Sequence, residues 1–440
     1  MAVKVCKFGG TSVAGGAQLR QVQAIVEADS ARRWVVPSAP GKRSRDDQKV
    51  TDLLYLCHEH VKRGVGFEEV FGLIRERYQT IVCDLGLSLD IASLLDEVHA
   101  RIAAGAGAAY CASRGEFLNG HIVAALLGWP FIDPVEIIVF DERGRFLPEE
   151  THQAVSARLG KLPHGVISGF YGARLDGEVA TFSRGGSDVT GAIIARGVDA
   201  DVYENWTDVS GLLMADPRIV DSPKQIAVLT YRELRELAYM GATVLHDEAI
   251  FPVRESGIPV NIRNTSEPGD PGTMIVRGNG ETELASSERI TGVAGRKGFS
   301  IIAVEKTLMN AEIGFGRRLL GVLESHGISF EHMPSGIDTL SIVVSSSQLE
   351  GKADAVLEDL RAQCKPDSID IKPGIALIAT VGRGMMYAPG MAARVMTALA
   401  DAGINIRMID QGSGELNIIV GVREDDFEAA VRAIYQRFVK

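Results

Sequence analysis

The chain lacks any CxxC, HxxxH or HExxH pair, and no apolar run approaches the roughly 18 residues that a membrane-spanning helix needs. Its five cysteines, Cys6, Cys57, Cys83, Cys111 and Cys364, are odd in number and scattered. That spacing argues against a disulfide framework and a zinc site, and fits a reducing cytoplasm. Basic residues are outnumbered, 46 against 57, for a net charge of −11. They form no cluster, so the electrostatic footprint of a nucleic-acid binder is missing. Met1 to Lys7 has no basic stretch leading into a long apolar core, so no secretory signal is expected. Of the nine histidines, His246, His326 and His332 are read as structural or surface groups rather than ligands. The expectation is a cytoplasmic protein that handles small molecules, with neither nucleic acid nor membrane as partner.

What is plentiful is ordinary globular text. At 440 residues, with 46% hydrophobic and 23% charged side chains, the chain is long enough for two or three domains. From Ala2 to about Met274, short β-branched runs alternate with longer helical patterns. Strands are expected at Val3 to Phe8, Trp34 to Pro37, Pro130 to Ile132, Val166 to Gly169 and Asp201 to Glu204. Such alternation predicts an α/β domain with a largely parallel sheet, whose ligands sit beyond the carboxyl ends of the strands. Between Asn264 and Ile290 the text becomes rich in Pro, Gly, Ser and acidic residues, and reads as the domain's last turn plus a linker.

Beyond the linker the tail repeats itself at an offset of 76 without gaps. Met309 falls on Met385, Leu323 on Leu399, Gly327-Ile328 on Gly403-Ile404, Gly336 on Gly412, and Ile342 on Ile418. Each copy reads as strand, helix, strand, strand, with the Gly-Ile pair closing the helix and opening a strand. That is the core of a ferredoxin-like βαββαβ module, in tandem. Two copies suggest a paired binding platform; a plain dimerisation surface is the alternative.

Three glycine motifs carry the chemistry. Lys7-Phe8-Gly9-Gly10-Thr11-Ser12 follows the first strand directly. Adjacent glycines let backbone N–H groups approach a phosphate, and Lys7 offers a point charge. The lysine precedes the glycines, so this is not a GxxxxGK[ST] nucleotide loop. Ser183-Arg184-Gly185-Gly186-Ser187-Asp188 leads into a helix over Val189 to Arg196, with a guanidinium suited to a carboxylate and an acid able to orient a lysine. Read alone, it could be a helix start capped by Ser187 or Asp188. Ser113-Arg114-Gly115-Glu116 reads as a third turn, whose Glu116 either binds an ammonium group or sits solvated. Thr207-Asp208 and Asp216-Pro217-Arg218 are compatible with nucleotide contact and equally with surface turns.

Taken in order, these motifs resemble the aspartate kinases, members of the amino-acid kinase fold with C-terminal ACT modules. The resemblance runs along essentially the whole chain. It extends to Ser38-Ala39-Pro40-Gly41-Lys42, Glu236-Leu237-Ala238-Tyr239, Val244-Leu245-His246, and Asn264-Thr265 ahead of Gly272-Thr273. It implies an αβα kinase domain over 1–280 and two ACT modules over 290–365 and 366–440, with the strand near 290–296 open to assignment to the second instead. It also implies a phosphoryl transfer from ATP with Mg²⁺ to the side-chain carboxylate of L-aspartate, giving 4-phospho-L-aspartate for lysine, threonine and methionine synthesis.

Residue by residue, the resemblance makes Lys7 and Asp188 catalytic, and assigns aspartate to Ser38, Glu116, Arg184 and Ser187. ATP falls to Lys7, Gly9, Gly10, Thr11, Thr207, Asp208 and Arg218, with N–H donors from Gly9 and Gly10. No protein ligand set for a metal is predicted. Lysine or threonine is the implied effector, with Met309, Gly314, Phe315 and Glu331 as its candidate positions and a homodimer or larger assembly formed through the ACT modules. Leu213, Thr243, Asp247 and Ser413-Gly414-Glu415 depart from the common family text. Kinases of the same fold acting on glutamate, uridylate or carbamate, and an idle amino-acid sensor, are the competing readings. With no GxGxxG dinucleotide turn, a single activity is expected rather than a fusion to homoserine dehydrogenase.

Overall fold

The structure, a computed structural model, describes residues 2–183, 185–242, 250–278, 290–386 and 388–439. Arg184, Thr243 and the Val244-Leu245-His246 stretch therefore lie outside the described residues. The chain divides into one unit of Met1–Leu212, Ala227–Tyr231 and Val244–Gly278, and a second of Leu213–Ile226, Arg232–Thr243 and Asn279–Lys440.

The first unit begins with β1 (Lys4–Phe8), α1 (Gly16–Glu27), β2 (Arg32–Pro37), α2 (Val50–Lys62), α3 (Glu68–Leu85), α4 (Ile91–Ala103) and α5 (Ala108–Leu127). Next come β3 (Phe131–Ile132), β4 (Val139–Phe140), α6 (Pro148–Leu159), β5 (Gly165–Ile167), β6 (Tyr171–Arg174), β7 (Val179–Thr181) and α7 (Gly186–Gly197). The remaining elements up to residue 276 are β8 (Val202–Thr207), β9 (Val228–Thr230), α8 (Tyr231–Tyr239), α9 (Phe251–Ser256), β10 (Val260–Asn264) and β11 (Thr273–Val276). Of these, α8 passes to the second unit after its first residue.

Eight strands form one sheet in the order β3-β5-β2-β1-β8-β10-β11-β9. Every neighbouring pair is parallel except β10 with β11. The largely parallel α/β domain expected from the alternation is thus what forms, and each of the five expected strands is present. The 264–290 text is more than a turn and a linker. Its Thr-Met-Ile-Val run is β11, which turns back against β10 after the positive-φ Gly272, a run too short to stand out from its Pro- and Gly-rich surroundings. The helices α1 to α5 bury Leu19, Phe71, Ile74, Tyr78, Leu95 and Leu118 around Phe8 and Trp206, so the central strands are dry on that face.

The second unit adds β12 (Gly292–Glu305), α10 (Phe315–Ser325), β13 (Thr339–Ser345), α11 (Ser346–Leu349), α12 (Ala353–Cys364) and β14 (Ser368–Val381). It closes with α13 (Met391–Asp401), β15 (Met408–Asp410), β16 (Asn417–Arg423) and α14 (Phe427–Val439). The two repeats do not make separate sheets. They share one antiparallel sheet, β13-β12-β14-β16-β15, because β12 and β14 are each 14 residues long and serve both copies. Phe299–Glu305 pairs with β13 and the start of β14, whereas Gly292–Arg296 pairs only with Leu377–Val381.

The strand expected after each Gly-Ile pair is much reduced. The first copy keeps only isolated bridges at His332 and Ser335, and the second has the three-residue β15. Pro334, without an N–H, interrupts the first. Within this unit α8 is held through side chains at 233, 236 and 239. Glu233 accepts from Thr291 Oγ1 at 2.5 Å and from the Arg383 N–H at 3.1 Å, Glu236 accepts from Asn417 Nδ2 at 2.6 Å, and the Tyr239 hydroxyl donates to Glu331.

Candidate active site

The parallel strands of the first unit deliver their carboxyl ends to one edge, and backbone bonds lace the loops there together. Gly9 N donates to Trp206 O (3.0 Å), Ser38 N to Phe8 O (3.0 Å), Gly169 N to Pro37 O (3.2 Å) and Thr265 N to Thr207 O (2.9 Å). Gly41 N donates to Gly10 O at 2.8 Å, and a Cβ on Gly41 would stand 2.6 Å from the Gly10 carbonyl carbon. The two loops meet backbone to backbone, which only glycine permits at that distance. Arg77, buried on α3, pins the same loop by donating to Gly41 O (2.9 Å) and pairing with Asp47 (2.5 Å).

Lys7, next to last on β1, turns its buried side chain toward α7, where Nζ lies 2.5 Å from Asp188 Oδ1. Asp188 stands in the first turn of α7, capped not by Ser187 or Asp188 but by Gly185 in the left-handed conformation (φ 56°). There its charge is also favoured by the helix's positive end. Ser187 is buried against Gly169, whose added Cβ would sit 2.4 Å from Ser187 Oγ.

Gly9 does not fit the donor role expected of it, since its N–H is bound to Trp206. What its missing side chain leaves is room beside the lysine, a Cβ there standing 3.5 Å from Lys7 Nζ. The N–H groups of Gly10 and Thr11 open a 3-10 turn, Gly10–Val13, and the first donors of a helical turn have no acceptor within it. Ser12 Oγ, buried behind them, bonds Thr265 Oγ1 at 2.7 Å.

Ser113 to Glu116 is no turn; it is the middle of α5. Gly115 serves close packing, because a Cβ there would come within 2.9 Å of Ala39 Cβ. Glu116 is buried, and its Oε2 has no hydrogen-bond partner among the described residues. Burial raises its carboxyl from 4.5 to about 7, against the lowering pull of the Ala39 backbone N–H. A carboxyl so placed gains most from a cation that enters the site with its own charge.

Arg184 lies outside the described residues. Thr207 donates to Asp208 at 3.2 Å at the end of β8. Arg218 belongs to the second unit, where its exposed guanidinium is clasped by Asp216 at 2.6 Å. Of the effector positions, Met309 and Phe315 are in the second unit's core, Gly314 (φ 81°) caps α10, and Glu331 is engaged by Tyr239 and Arg296. Among the described residues no group of three or more His, Cys, Asp or Glu side chains is placed to hold a metal ion.

Three residues with a part in this arrangement escaped sequence reasoning. Asn205 donates to Asp188 Oδ1 at 2.8 Å, Asn119 donates to Ser38 O at 2.7 Å, and Arg77 holds the loop as described. A polar residue inside a largely apolar helix was the available signal for Asn119; Asn205 follows Glu204 and Arg77 lies in the polar run Arg75-Glu76-Arg77, so neither stood out.

The model of the amino acid kinase family matches residues 2–264, and an ACT domain model matches residues 378–438. Aspartokinase 3 of Bacillus subtilis is 40% identical over 99% of this chain and 98% of its own. The chain belongs to the aspartate kinases of the amino acid kinase family. A crystal structure of Clostridium acetobutylicum aspartate kinase, described as an allosteric enzyme, is 53% identical and superposes with a TM-score of 0.94 over 99% of this chain and 100% of that one. Escherichia coli aspartokinase III in complex with aspartate and ADP is 26% identical, with a TM-score of 0.72 and full coverage of both chains. The same enzyme with lysine and aspartate is 25% identical, with a TM-score of 0.75 over both whole chains. The carrot bifunctional aspartokinase/homoserine dehydrogenase is 31% identical, and this chain spans 50% of it. As an aspartate kinase, the chain has no described helix long and apolar enough to cross a membrane.

Proposed function

We propose that the chain transfers the γ-phosphoryl group of ATP to the side-chain carboxylate of L-aspartate. One carboxylate oxygen bonds to the γ-phosphorus while the bond from that phosphorus to the β,γ-bridging oxygen breaks, giving 4-phospho-L-aspartate and ADP. This is the entry step to lysine, threonine and methionine synthesis. The observation that carries the reading is the buried Lys7 ammonium held 2.5 Å from Asp188 beside the paired Gly9-Gly10 and Gly41 backbones.

The chemistry needs no general base. A free aspartate side chain, with a pKa of about 3.9, is already ionised near neutrality. What it needs is alignment with the γ-phosphorus and relief from the repulsion of two anions. Lys7 supplies charge to the transferring phosphoryl, Gly10 and Thr11 offer N–H groups, and Asp188 keeps Lys7 oriented. Mg²⁺ enters with ATP as part of the substrate. Glu116 receives the α-ammonium group, Arg184 the α-carboxylate, and Ser38 and Ser187 flank the aspartate. Thr207, Asp208 and Arg218 are assigned to the nucleotide.

Regulation by lysine or threonine through the ACT modules completes the reading, supported by the lysine complex of the Escherichia coli relative. An effector can inhibit only by binding the inactive arrangement more tightly than the active one. Leu308, Ile313 and Ile337, exposed at 69%, 96% and 70%, give the second unit an uncovered apolar surface that fits subunit pairing. The five free thiols suit a reducing cytoplasm.

The test is ATP- and Mg²⁺-dependent hydroxamate formation from aspartate, with glutamate as control, with and without lysine and threonine. Turnover of aspartate alone is expected, with inhibition by one of the two effectors. Folded, ATP-binding protein that leaves aspartate untouched would overturn the reading.

A further inference from the structure

Asn205 is buried on β8, directly across from Lys7 in the parallel pairing of β1 with β8. Side chains alternate along a strand, so Tyr203 and Asn205 face α7, while Glu204 and Trp206 face the other way. Two donors converge there on one oxygen. Asp188 Oδ1 accepts from Asn205 Nδ2 at 2.8 Å and stands 2.5 Å from Lys7 Nζ. Burying an amide among Tyr203, Ile262 and the strand backbones is costly unless it is bonded, and its described bond is to this carboxylate. Leucine has the same branching and number of side-chain heavy atoms, is somewhat larger, and would occupy the position without that cost.

We propose that Asn205 is a positioning residue for the phosphoryl transfer assigned above, sharing the charge of Asp188 Oδ1 so that Lys7 is oriented without being locked into its ion pair. This inference rests on that reading of the reaction. An anionic oxygen with a single partner binds an ammonium group tightly. An oxygen that also accepts an amide N–H spreads its charge over two donors. Lys7 then stays aimed by Asp188 and can turn Nζ to the incoming phosphoryl oxygens. The amide also fixes the carboxylate rotamer from the sheet side, while Tyr203 donates its hydroxyl to the Asp188 carbonyl at 3.1 Å. The position is thus held from β8 at two points.

Among the described residues, few charged or titratable groups face this oxygen. Lys7 comes from β1, Asp188 itself from α7, and the Tyr203 hydroxyl from β8. From β10, Ile262 lies opposite Asn205 and is apolar. Lys4, Glu204, Arg32 and Arg263 form their own ion-pair group on the opposite face of the sheet.

Asn205→Leu and Asn205→Asp test the role in the full-length chain, with wild-type turnover of aspartate measured alongside. For N205L, kcat is expected to fall by about 10- to 100-fold with both KM values within about threefold. For N205D, the introduced carboxyl shares a proton with Asp188 at low pH and donates as the amide does. Its kcat relative to wild type should therefore fall as pH rises from 6 to 9, while the N205L ratio stays flat. An active wild type with N205L kcat within twofold, or equal and pH-independent losses in both variants, overturns the positioning role. A folded wild type that does not phosphorylate aspartate overturns the underlying reaction instead.

Discussion

Glu116→Gln should make the protein more stable and its aspartate site worse. The Glu116 carboxyl is buried, with one oxygen unpartnered among the described residues, and burial raises it from 4.5 to about 7. Because the folded value is the higher one, Glu116 favours the folded state fully below pH 4.5, and that contribution is lost as pH rises through about 7. The displacement corresponds to about 3 kcal/mol between those limits. Glutamine has the same shape and never ionises, but leaves an amide donor to be satisfied, at about 1–2 kcal/mol. The net expectation at pH 8 is a gain of about 1–2 kcal/mol, a rise in Tm of about 2–5 °C. At pH 5, where folded wild-type Glu116 is protonated, the amide cost outweighs the small remaining ionisation penalty, and the variant should be the less stable by up to about 1 kcal/mol. Aspartate binding should move the other way, with KM up by about 10- to 100-fold, the worth of a hydrogen bond to a charged group. Differential scanning calorimetry of both proteins at pH 5 and pH 8, paired with aspartate saturation curves, checks it. A Tm change of the same sign and size at both pH values would refute the argument from burial.

Three further outcomes are expected. Lys7→Ala should lower kcat by about 10²- to 10³-fold with an unchanged circular dichroism spectrum, and near-normal activity would remove Lys7 from its role. Arg77→Ala removes one partner of the partly buried Asp47, whose carboxyl is held at about 2 although burial pushes it up, because the Arg43 backbone N–H, the Arg43 side chain and Arg77 outweigh burial. Urea unfolding should register a loss of about 1–3 kcal/mol near neutrality, the worth of the hydrogen bonds to a charged group that are removed, shrinking as pH falls from 3.8 towards 2; a loss below about 1 kcal/mol would mean the loop is held by other contacts. Gly41→Ala forces a Cβ to 2.6 Å from the Gly10 carbonyl carbon and should push the two loops apart, raising the KM for ATP by about tenfold or more. An unaltered KM would show that the Gly10 loop tolerates displacement.

Much of this protein was legible in its sequence because local chemistry repeats with a period. The β-branched runs alternating with helical text gave β1, β2, β3, β5 and β8, and the 76-residue offset gave the tandem modules. Lys7 and Asp188, 181 positions apart, could be paired from sequence only through the family resemblance. Gly115 misled, because a glycine that permits a turn and a glycine that lets a helix approach Ala39 look the same in one dimension. Gly9 misled for the same reason, its N–H being spent on the Trp206 carbonyl from another strand.

What the sequence by itself determined was composition, period and the order of motifs, all properties of neighbours along the chain. Tertiary structure alone decided the rest: that β12 and β14 fuse two repeats into one sheet, that α8 is held by residues 291, 331, 383 and 417, and that Asn205 meets Lys7 over one oxygen of Asp188. Strand register and helix packing set those meetings, and they join residues whose separation along the chain carries no periodic signal.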